Sequence, residues 1–165
     1  MLSFGDGRKE KDNAETEEVR DLAFRLLAKE PLMVVLPSDH RLAALKAISP
    51  RDLAGETFVA VSNTAPVLRA IIDKYLKRST VDVTPGHEAD HLSMGMSLIA
   101  STGGVGLLPA YAQNFLLSTV TSRPLKGDAP TVDLVLGYRK SNQSPILKLL
   151  LSKLDELVAR ASNRA

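Results

Sequence analysis

Residues 29–37 read Lys-Glu-Pro-Leu-Met-Val-Val-Leu-Pro, and this stretch decides the fold class. Its centre, residues 32–36, is a continuous apolar run with two valines in the middle and a proline at each border. A half-exposed strand would alternate apolar and polar residues, so an unbroken run of this length is typical of a strand buried on both faces. The sequence therefore predicts a central strand here.

Further strands and helices are expected to alternate along the rest of the chain. Strands are expected at residues 58–61, 81–84, 105–108 and 132–138. Helices are expected at residues 49–55, 66–78, 90–101 and 111–116 and from Pro145 onward. Gly103 is well placed to end the helix before it in the left-handed conformation. Strands that alternate with helices predict an α/β fold with parallel strands joined by crossovers.

Composition narrows the function classes. The 165 residues are 44% hydrophobic, which is enough for a packed core, and they include no cysteine. A disulfide framework, a thiol nucleophile and a thiolate metal site are therefore excluded. The net charge of +2 does not favour a nucleic-acid groove. No apolar run has the length of a signal peptide or a membrane span, so a soluble cytoplasmic protein is expected.

His87-Glu88-Ala89-Asp90-His91 matches the H-E-x-x-H zinc signature. In that signature His87 and His91 would share a helix face and bind Zn²⁺, with Glu88 as the general base. The motif directly follows Pro85-Gly86, however, which places His87 before the helix, and no third ligand has a supporting pattern. A zinc hydrolase is therefore kept only as an alternative, beside a polar loop that leads into a helix.

The loop formed by Ser62, Asn63, Thr64 and Ala65 follows a predicted strand and precedes a predicted helix. Ligands of open α/β sheets bind outside the carboxyl ends of strands, where helix N-termini offer free N–H groups. The same short polar residues are also common helix caps. The residues alone leave both interpretations open.

An ordered series of motifs resembles one family. It comprises Lys29-Glu30-Pro31-Leu32, Asp39-His40-Arg41-Leu42-Ala43, Ile48-Ser49, Asp52-Leu53-Ala54-Gly55-Glu56, Phe58-Val59 and Gly103-Gly104-Val105-Gly106-Leu107-Leu108-Pro109. Over about residues 22–160 this series resembles the effector-binding domain of LysR-type transcriptional regulators. The order and spacing of the motifs carry the likeness, since no single motif is specific.

The resemblance implies a type 2 periplasmic-binding-protein-like fold, with one complete α/β subdomain plus part of a second. Residues 1–20 would hold a residual strand of subdomain I and a charged loop, residues 21–120 the effector-binding subdomain II, and residues 121–165 the return segment with the C-terminal helix. By the same resemblance, the family's winged helix-turn-helix and the first part of subdomain I would be missing from this chain. DNA binding is thus expected only through a domain that this chain lacks.

The resemblance also implies a function without catalysis or cofactor: a small anionic or polar metabolite would bind and change how subunits pair. By position, the ligand-binding residues would be Ser62, Asn63, Thr64, Ala65, Asp90, His91, Gly106 and Pro109. A homodimer or higher oligomer is expected to cover the apolar surface left by the missing part. The interface helix would contribute Arg69, Ile72, Tyr75 and Leu76. A solute-binding protein of the same fold is a second alternative.

Overall fold

The computed structural model describes residues 21–83 and 85–162, which fall into two compact units. The central unit comprises residues 29–132, and the flanking unit comprises residues 21–28 and 133–162 of the described chain. The residual strand and the charged loop expected within residues 1–20 lie outside the described residues. The assignment of residues 21–120 to subdomain II, and of the residues on either side to subdomain I, stays a prediction.

Strands and helices alternate over the described residues. The strands are β1 (Leu22–Pro37), β2 (Phe58–Val61), β3 (Pro85–Ala89), β4 (Gly106–Pro109), β5 (Val120–Pro124) and β6 (Thr131–Arg139). The α-helices are α1 (Pro66–Arg78), α2 (Leu92–Thr102) and α3 (Pro145–Ser162). Short 3₁₀ helices occupy Arg41–Ala44, Pro50–Leu53 and Ala110–Phe115. The α/β class predicted from the sequence is confirmed.

The sheet of the central unit is mixed. β1 lies between β4 and β5 and runs antiparallel to both. β2 and β3 are parallel to each other, and a parallel bridge between Phe58 and Val105 links β2 to the start of β4. The prediction of parallel strands joined by crossovers is therefore wrong for β1, because two 3₁₀ turns follow this strand instead of a crossover helix.

One predicted strand is misplaced and one strand was missed. Residues 81–83 form no strand. Val81 is buried, and its amide donates to the Leu76 carbonyl at 3.1 Å, which closes the end of α1. The strand instead begins at Pro85. β5 has the sequence Val-Thr-Ser-Arg-Pro and lacks an apolar run, so it gives no strong sequence signal.

Side chains of β1 alternate between two hydrophobic cores. Leu32, Val34 and Leu36 point into the first core, whereas Val35 belongs to the second. Helix α1 packs on the first core and α2 on the second, with the sheet between them. The prediction that residues 32–36 form a strand buried on both faces is therefore confirmed, since each helix covers one face.

Polar side chains hold the first two 3₁₀ turns. His40 Nδ1 accepts from the Leu42 amide at 3.2 Å, and His40 Nε2 lies 3.2 Å from a Glu56 carboxylate oxygen. Asp52 accepts from the Ser49 amide at 2.9 Å, and Gly55 ends this segment with φ of +79°. The expected short helix at residues 49–55 is thus confirmed as a capped 3₁₀ turn.

The flanking unit contains an apolar face that its own residues leave exposed. β6 pairs with β1, and the Lys140 amide donates to the Asp21 carbonyl at 2.7 Å. On α3, Ile146 is 79% exposed and Leu149 is 62% exposed. None of the helices in the described part of the chain combines the length and apolarity that a membrane crossing needs.

The two-sided burial of β1 predicts a large effect of truncating a core leucine. Leu36 is fully buried, so Leu36→Ala should lower the free energy of unfolding by about 2–5 kcal/mol. Leu45→Ala is the matched control: Leu45 is 40% exposed, and its truncation should cost about 0.5 kcal/mol or less. Urea unfolding of both variants measures the difference, and equal losses would contradict this packing.

Candidate ligand-binding site

A cavity of about 130 Å³ lies in the central unit, at the carboxyl ends of β2, β3 and β4. Thirteen of its lining residues are apolar or glycine, and two are polar. They are Val59, Ala60, Val61, Ala65, Leu68, Ala89, Leu92, Gly95, Ile99, Gly106, Leu108, Pro109 and Tyr111, with Asp90 and His91. A concave, mostly apolar site with a few polar groups is the usual form of a small-molecule site.

The topology explains this location. β2 and β3 are parallel neighbours, so their carboxyl ends lie at the same edge of the sheet. Each strand leads within a few residues into a helix: β2 into α1 and β3 into α2. The first turns of both helices therefore meet at the cavity, which Leu68 and Leu92 line.

His91 caps helix α2 and leaves one ring nitrogen available. Its Nδ1 accepts from the Met94 amide at 3.2 Å and lies 3.0 Å from Ser93 Oγ. An accepting Nδ1 carries no proton, so in the neutral ring the proton is on Nε2. No group among the described residues accepts from Nε2. His91 can therefore offer this N–H to a ligand.

The hydroxyl protons of Ser62 and Thr64 are used inside the protein. Thr64 Oγ1 donates to the Asp90 carbonyl at 2.7 Å. Ser62 Oγ lies 2.9 Å from Thr64 Oγ1 and must donate to it, since the Thr64 proton is already engaged. Ser62 Oγ also accepts from the Thr64 amide at 3.2 Å. These hydroxyls tie the loop after β2 to the loop after β3.

The N-terminus of α1 lacks a side-chain cap. Its N-cap residue is Ala65, which has no polar side chain, and Pro66 stands at the first helical position. The backbone N–H groups of Val67 and Leu68 thus receive no side-chain cap. Such amides can donate to an acceptor at the end of the helix.

Arg69 joins the ends of β2 and β3. Its Nη1 donates to the Val61 carbonyl at 3.2 Å and to Glu88 Oε1 at 2.8 Å. The hydrogen bond to Glu88 raises the pKa of Arg69 above its ordinary value. Asp73, one turn along α1, lies 3.7 Å from Arg69 Nε. Arg69 therefore holds the strand edge on which the cavity is built.

The structure brings five of the eight predicted ligand-binding residues to the cavity: Ala65, Asp90, His91, Gly106 and Pro109. Asn63 and Thr64 are exposed on the adjoining loop, and Ser62 is buried behind it. Ligand binding by all eight stays a prediction. Sequence reasoning missed the apolar lining, including Leu68, Leu92 and Gly95. Leu68 lies near the start of α1, and Leu92 and Gly95 lie near the start of α2. Their closeness to the predicted helix starts was the sequence signal that could have identified them.

The zinc alternative is wrong. His87 and Glu88 are neighbours on strand β3, where successive side chains point to opposite faces, and His91 follows at the N-cap of α2. The two histidines therefore share no helix face. Glu88 is paired with Arg69. Among residues 21–83 and 85–162, no three His, Cys, Asp or Glu side chains cluster in a way that could hold a metal ion.

The predicted interface residues on α1 need correction. Ile72, Tyr75 and Leu76 are buried in the first core because they face the sheet. The exposed side of the helix instead carries Val67, which is 69% exposed, and Lys74. Pairing through α1 stays a prediction, but only this outward side is available for it.

The family is now identifiable. The sequence model of the LysR substrate binding domain matches residues 13–159. The chain belongs to this family. The Hca operon transcriptional activator HcaR of Escherichia coli K12 is 32% identical over 143 residues, which are 84% of this chain and 47% of HcaR. The chain therefore spans about half the length of the curated relatives it matches.

Solved structures of other members share the fold. The effector-binding domain of BenM, solved with its effector benzoate, matches with a TM-score of 0.73 and 20% identity over 96% of this chain and 78% of that one. The regulatory domain of CcmR from Synechocystis PCC6803, in complex with 2-PG, gives 0.70 and 22%, over 84% and 67%. The type 2 periplasmic-binding-protein-like class is thus confirmed. The family match favours a regulator over a solute-binding protein.

Burial of Tyr75 predicts a pH dependence of stability. Burial raises the pKa of the Tyr75 phenol above its ordinary value, because the charged phenolate is poorly solvated in the core. Between pH of about 10 and the raised value, the unfolded chain loses this proton while the folded chain keeps it. The free energy of unfolding should therefore fall as pH rises above about 10.

Tyr75→Phe should reduce this fall, whereas Tyr111→Phe should not, because Tyr111 is 41% exposed. Urea unfolding at pH 8 to 11 compares the slopes of the wild type and the two variants. A Tyr75→Phe slope equal to the wild-type slope would contradict the argument.

Proposed function

We propose that this chain is the effector-binding module of a LysR-type transcription regulator and that its cavity receives a small organic metabolite. One observation carries the proposal: the first turns of α1 and α2 meet at a cavity that Leu68 and His91 line. The Leu68 amide has no side-chain cap, and the His91 Nε2–H donates to no group among the described residues. Donors without acceptors favour a ligand that carries oxygen acceptors. A carboxylate or a polar carbonyl compound meets this requirement.

The relatives support this chemistry. The BenM domain was solved with benzoate, the CcmR domain with 2-PG and the QuiR domain with shikimate. Each is a small organic molecule in a protein with the same fold. The ligand class proposed for this chain rests on the chain's own cavity, and we expect Asp90 and His91 to lie beside the ligand.

The mechanism would be a shift between two conformations. A ligand changes their populations only when it binds one of them more tightly. Thr64 and Asp90 link the loops after β2 and β3, so a ligand that contacts either loop acts on both. In a complete regulator, which we place in the cytoplasm, a DNA-binding domain outside this chain would respond to the shift.

A panel of small organic acids tests the proposal by thermal unfolding. A ligand present at one hundred times its Kd adds about 2.7 kcal/mol to the free energy of unfolding, which raises the melting temperature by several degrees. His91→Ala should weaken the effective ligand about tenfold or more. It should also lower stability by about 0.5–2 kcal/mol through the lost cap.

His91→Asn is the matched control, because asparagine restores the cap without an N–H at the position of Nε2. It should recover stability but not affinity. If no panel member shifts the melting temperature, or if His91→Asn binds like the wild type, the proposed site is wrong.

We also propose that the chain forms a homodimer or higher homo-oligomer through the apolar face of the flanking unit. Phe24, Leu26, Ile146, Leu149 and Leu150 are between 41% and 79% exposed. Helix α3 is apolar on this outward side and also carries a buried Leu154, so apolar residues surround much of it. Apolar residues all around a helix are typical of one that is covered on both sides. A second copy offers the same face and can cover it symmetrically.

Sedimentation of two charge variants tests which face is used. Ile146→Lys combined with Leu149→Lys should convert the oligomer to a monomer, because buried ammonium groups would face each other without partners. Val67→Lys, on the outward side of α1, is the matched control and should leave the oligomer intact. A dimer that only Val67→Lys dissociates would assign pairing to α1, and a monomeric wild type would refute both interfaces.

A further inference from the structure

A side chain continues the pairing of β2 and β3 beyond the ends of the two strands. The last backbone bond between them runs from the Ser62 amide to the Ala89 carbonyl at 2.9 Å. After it the chain leads from β2 into α1 and from β3 into α2. Thr64 Oγ1 then donates to the Asp90 carbonyl at 2.7 Å, and no other donor in the described part of the chain binds that carbonyl. Thr64 therefore adds one more rung where the backbone pairing has ended.

The direction of this rung is fixed within the protein. The Asp90 carbonyl can only accept, so the single hydroxyl proton of Thr64 points toward it. Ser62, which is 7% exposed, gives its own proton to Thr64 Oγ1 and accepts from the Thr64 amide at 3.2 Å. Threonine is also stiff at χ1, which limits the positions of its Oγ1. The rung is thus formed without a ligand.

The carbonyl that Thr64 holds belongs to the peptide group directly before His91. A peptide group is planar, so a fixed Asp90 carbonyl also fixes the plane that contains the His91 backbone nitrogen. On the other side, the His91 carbonyl accepts from the Gly95 amide at 3.0 Å, and His91 Nδ1 accepts from the Met94 amide at 3.2 Å. His91 is therefore held between the Thr64 rung and the first turn of α2.

The rung matters because burial does not hold this part of the chain. Asp90 and His91 are both exposed to solvent. The cap requires an extended backbone, and His91 has φ of −150° and ψ of 164°. Without the rung, the peptide group before His91 is free to turn, and the imidazole can leave the Met94 amide. A ring that has left the cap is no longer restricted to the tautomer with the proton on Nε2.

We propose that Thr64 is a positioning residue, which acts through the Asp90 carbonyl to keep His91 in its capping orientation with the proton on Nε2. Thr64 gives its only proton to the protein, and its contribution is to hold the donor that a ligand meets. The inference rests on the proposed function for the use of that donor, but the effect of Thr64 on His91 is measurable without a ligand.

Three substitutions separate this effect from a general loss of stability. Thr64→Val keeps the shape of the side chain and removes the hydroxyl, whereas Thr64→Ser keeps the hydroxyl. Thr102→Val is the matched control, because Thr102 Oγ1 donates to the Leu98 carbonyl at 2.7 Å at the other end of α2. Nitrogen NMR of isotopically labelled protein at about pH 9, above the usual titration range of histidine, reports which imidazole nitrogen carries the proton. The His91 signals are assigned by their absence from His91→Asn.

The wild type, Thr64→Ser and Thr102→Val should show His91 with an unprotonated Nδ1. In Thr64→Val both ring nitrogens should shift toward the average of the two tautomers. The Met94 amide should also exchange with deuterium about three- to tenfold faster in Thr64→Val, which is the factor expected for one lost hydrogen bond. The amide of Ile99, a buried residue further along α2, should exchange as in the wild type, which shows that the variant is folded.

An unchanged His91 spectrum in Thr64→Val would overturn the proposal. An equal change in Thr102→Val, or equally faster exchange at Ile99, would also overturn it, because the effect would then be general. Failure of Thr64→Ser to restore the wild-type spectrum would exclude the hydroxyl as the cause. The proposed function fails separately, when no acid of the panel binds.

Discussion

The structure of the central unit depends on the pairing of β1 with β4 and β5. Residues 33–35 pair with β4 on one side and with β5 on the other. The side chains of residues 32, 34 and 36 fill the first core, and that of Val35 belongs to the second. An apolar strand can be buried in this way only if every backbone group finds a partner. Strand β5 supplies hydrogen-bond partners for β1. The helices α1 and α2 and the 3₁₀ turns cover the two faces of the sheet.

The site follows from the same sheet. β2 and β3 extend it as a parallel pair, and parallel strands bring two helix N-termini to one edge. Arg69 then fixes that edge by joining the Val61 carbonyl to the Glu88 carboxylate. Glu88 is thereby an ion-pair partner, although its sequence neighbours gave it the appearance of a catalytic base. The same five letters can describe a zinc helix or a strand followed by a capped helix, and only the backbone decides between them.

Local patterns predicted what depends on local physics. The apolar run at residues 32–36 predicted a strand covered on both faces, Pro66 predicted a helix start, and Gly103 predicted a left-handed helix end, which has φ of +69°. Three features depend on tertiary contacts and gave no such signal. Val81 reads as a strand residue but closes α1, β5 lacks an apolar run, and Tyr75 faces the sheet while the resemblance suggested a subunit interface. For the site, the loops were predictable and the apolar lining was not, because the lining exists only once two helices meet.

The role proposed for His91 would connect folding and recognition in this chain. One imidazole has two nitrogens, and the backbone of α2 uses Nδ1, which fixes the proton on Nε2. The donor that we propose for ligand binding therefore exists in this form only when the first turn of α2 is formed. Conversely, a ligand that accepts from Nε2 favours the tautomer that caps the helix. At the proposed site, ligand binding and the order of this helix start would thus be coupled through a single side chain, with no need for a longer pathway.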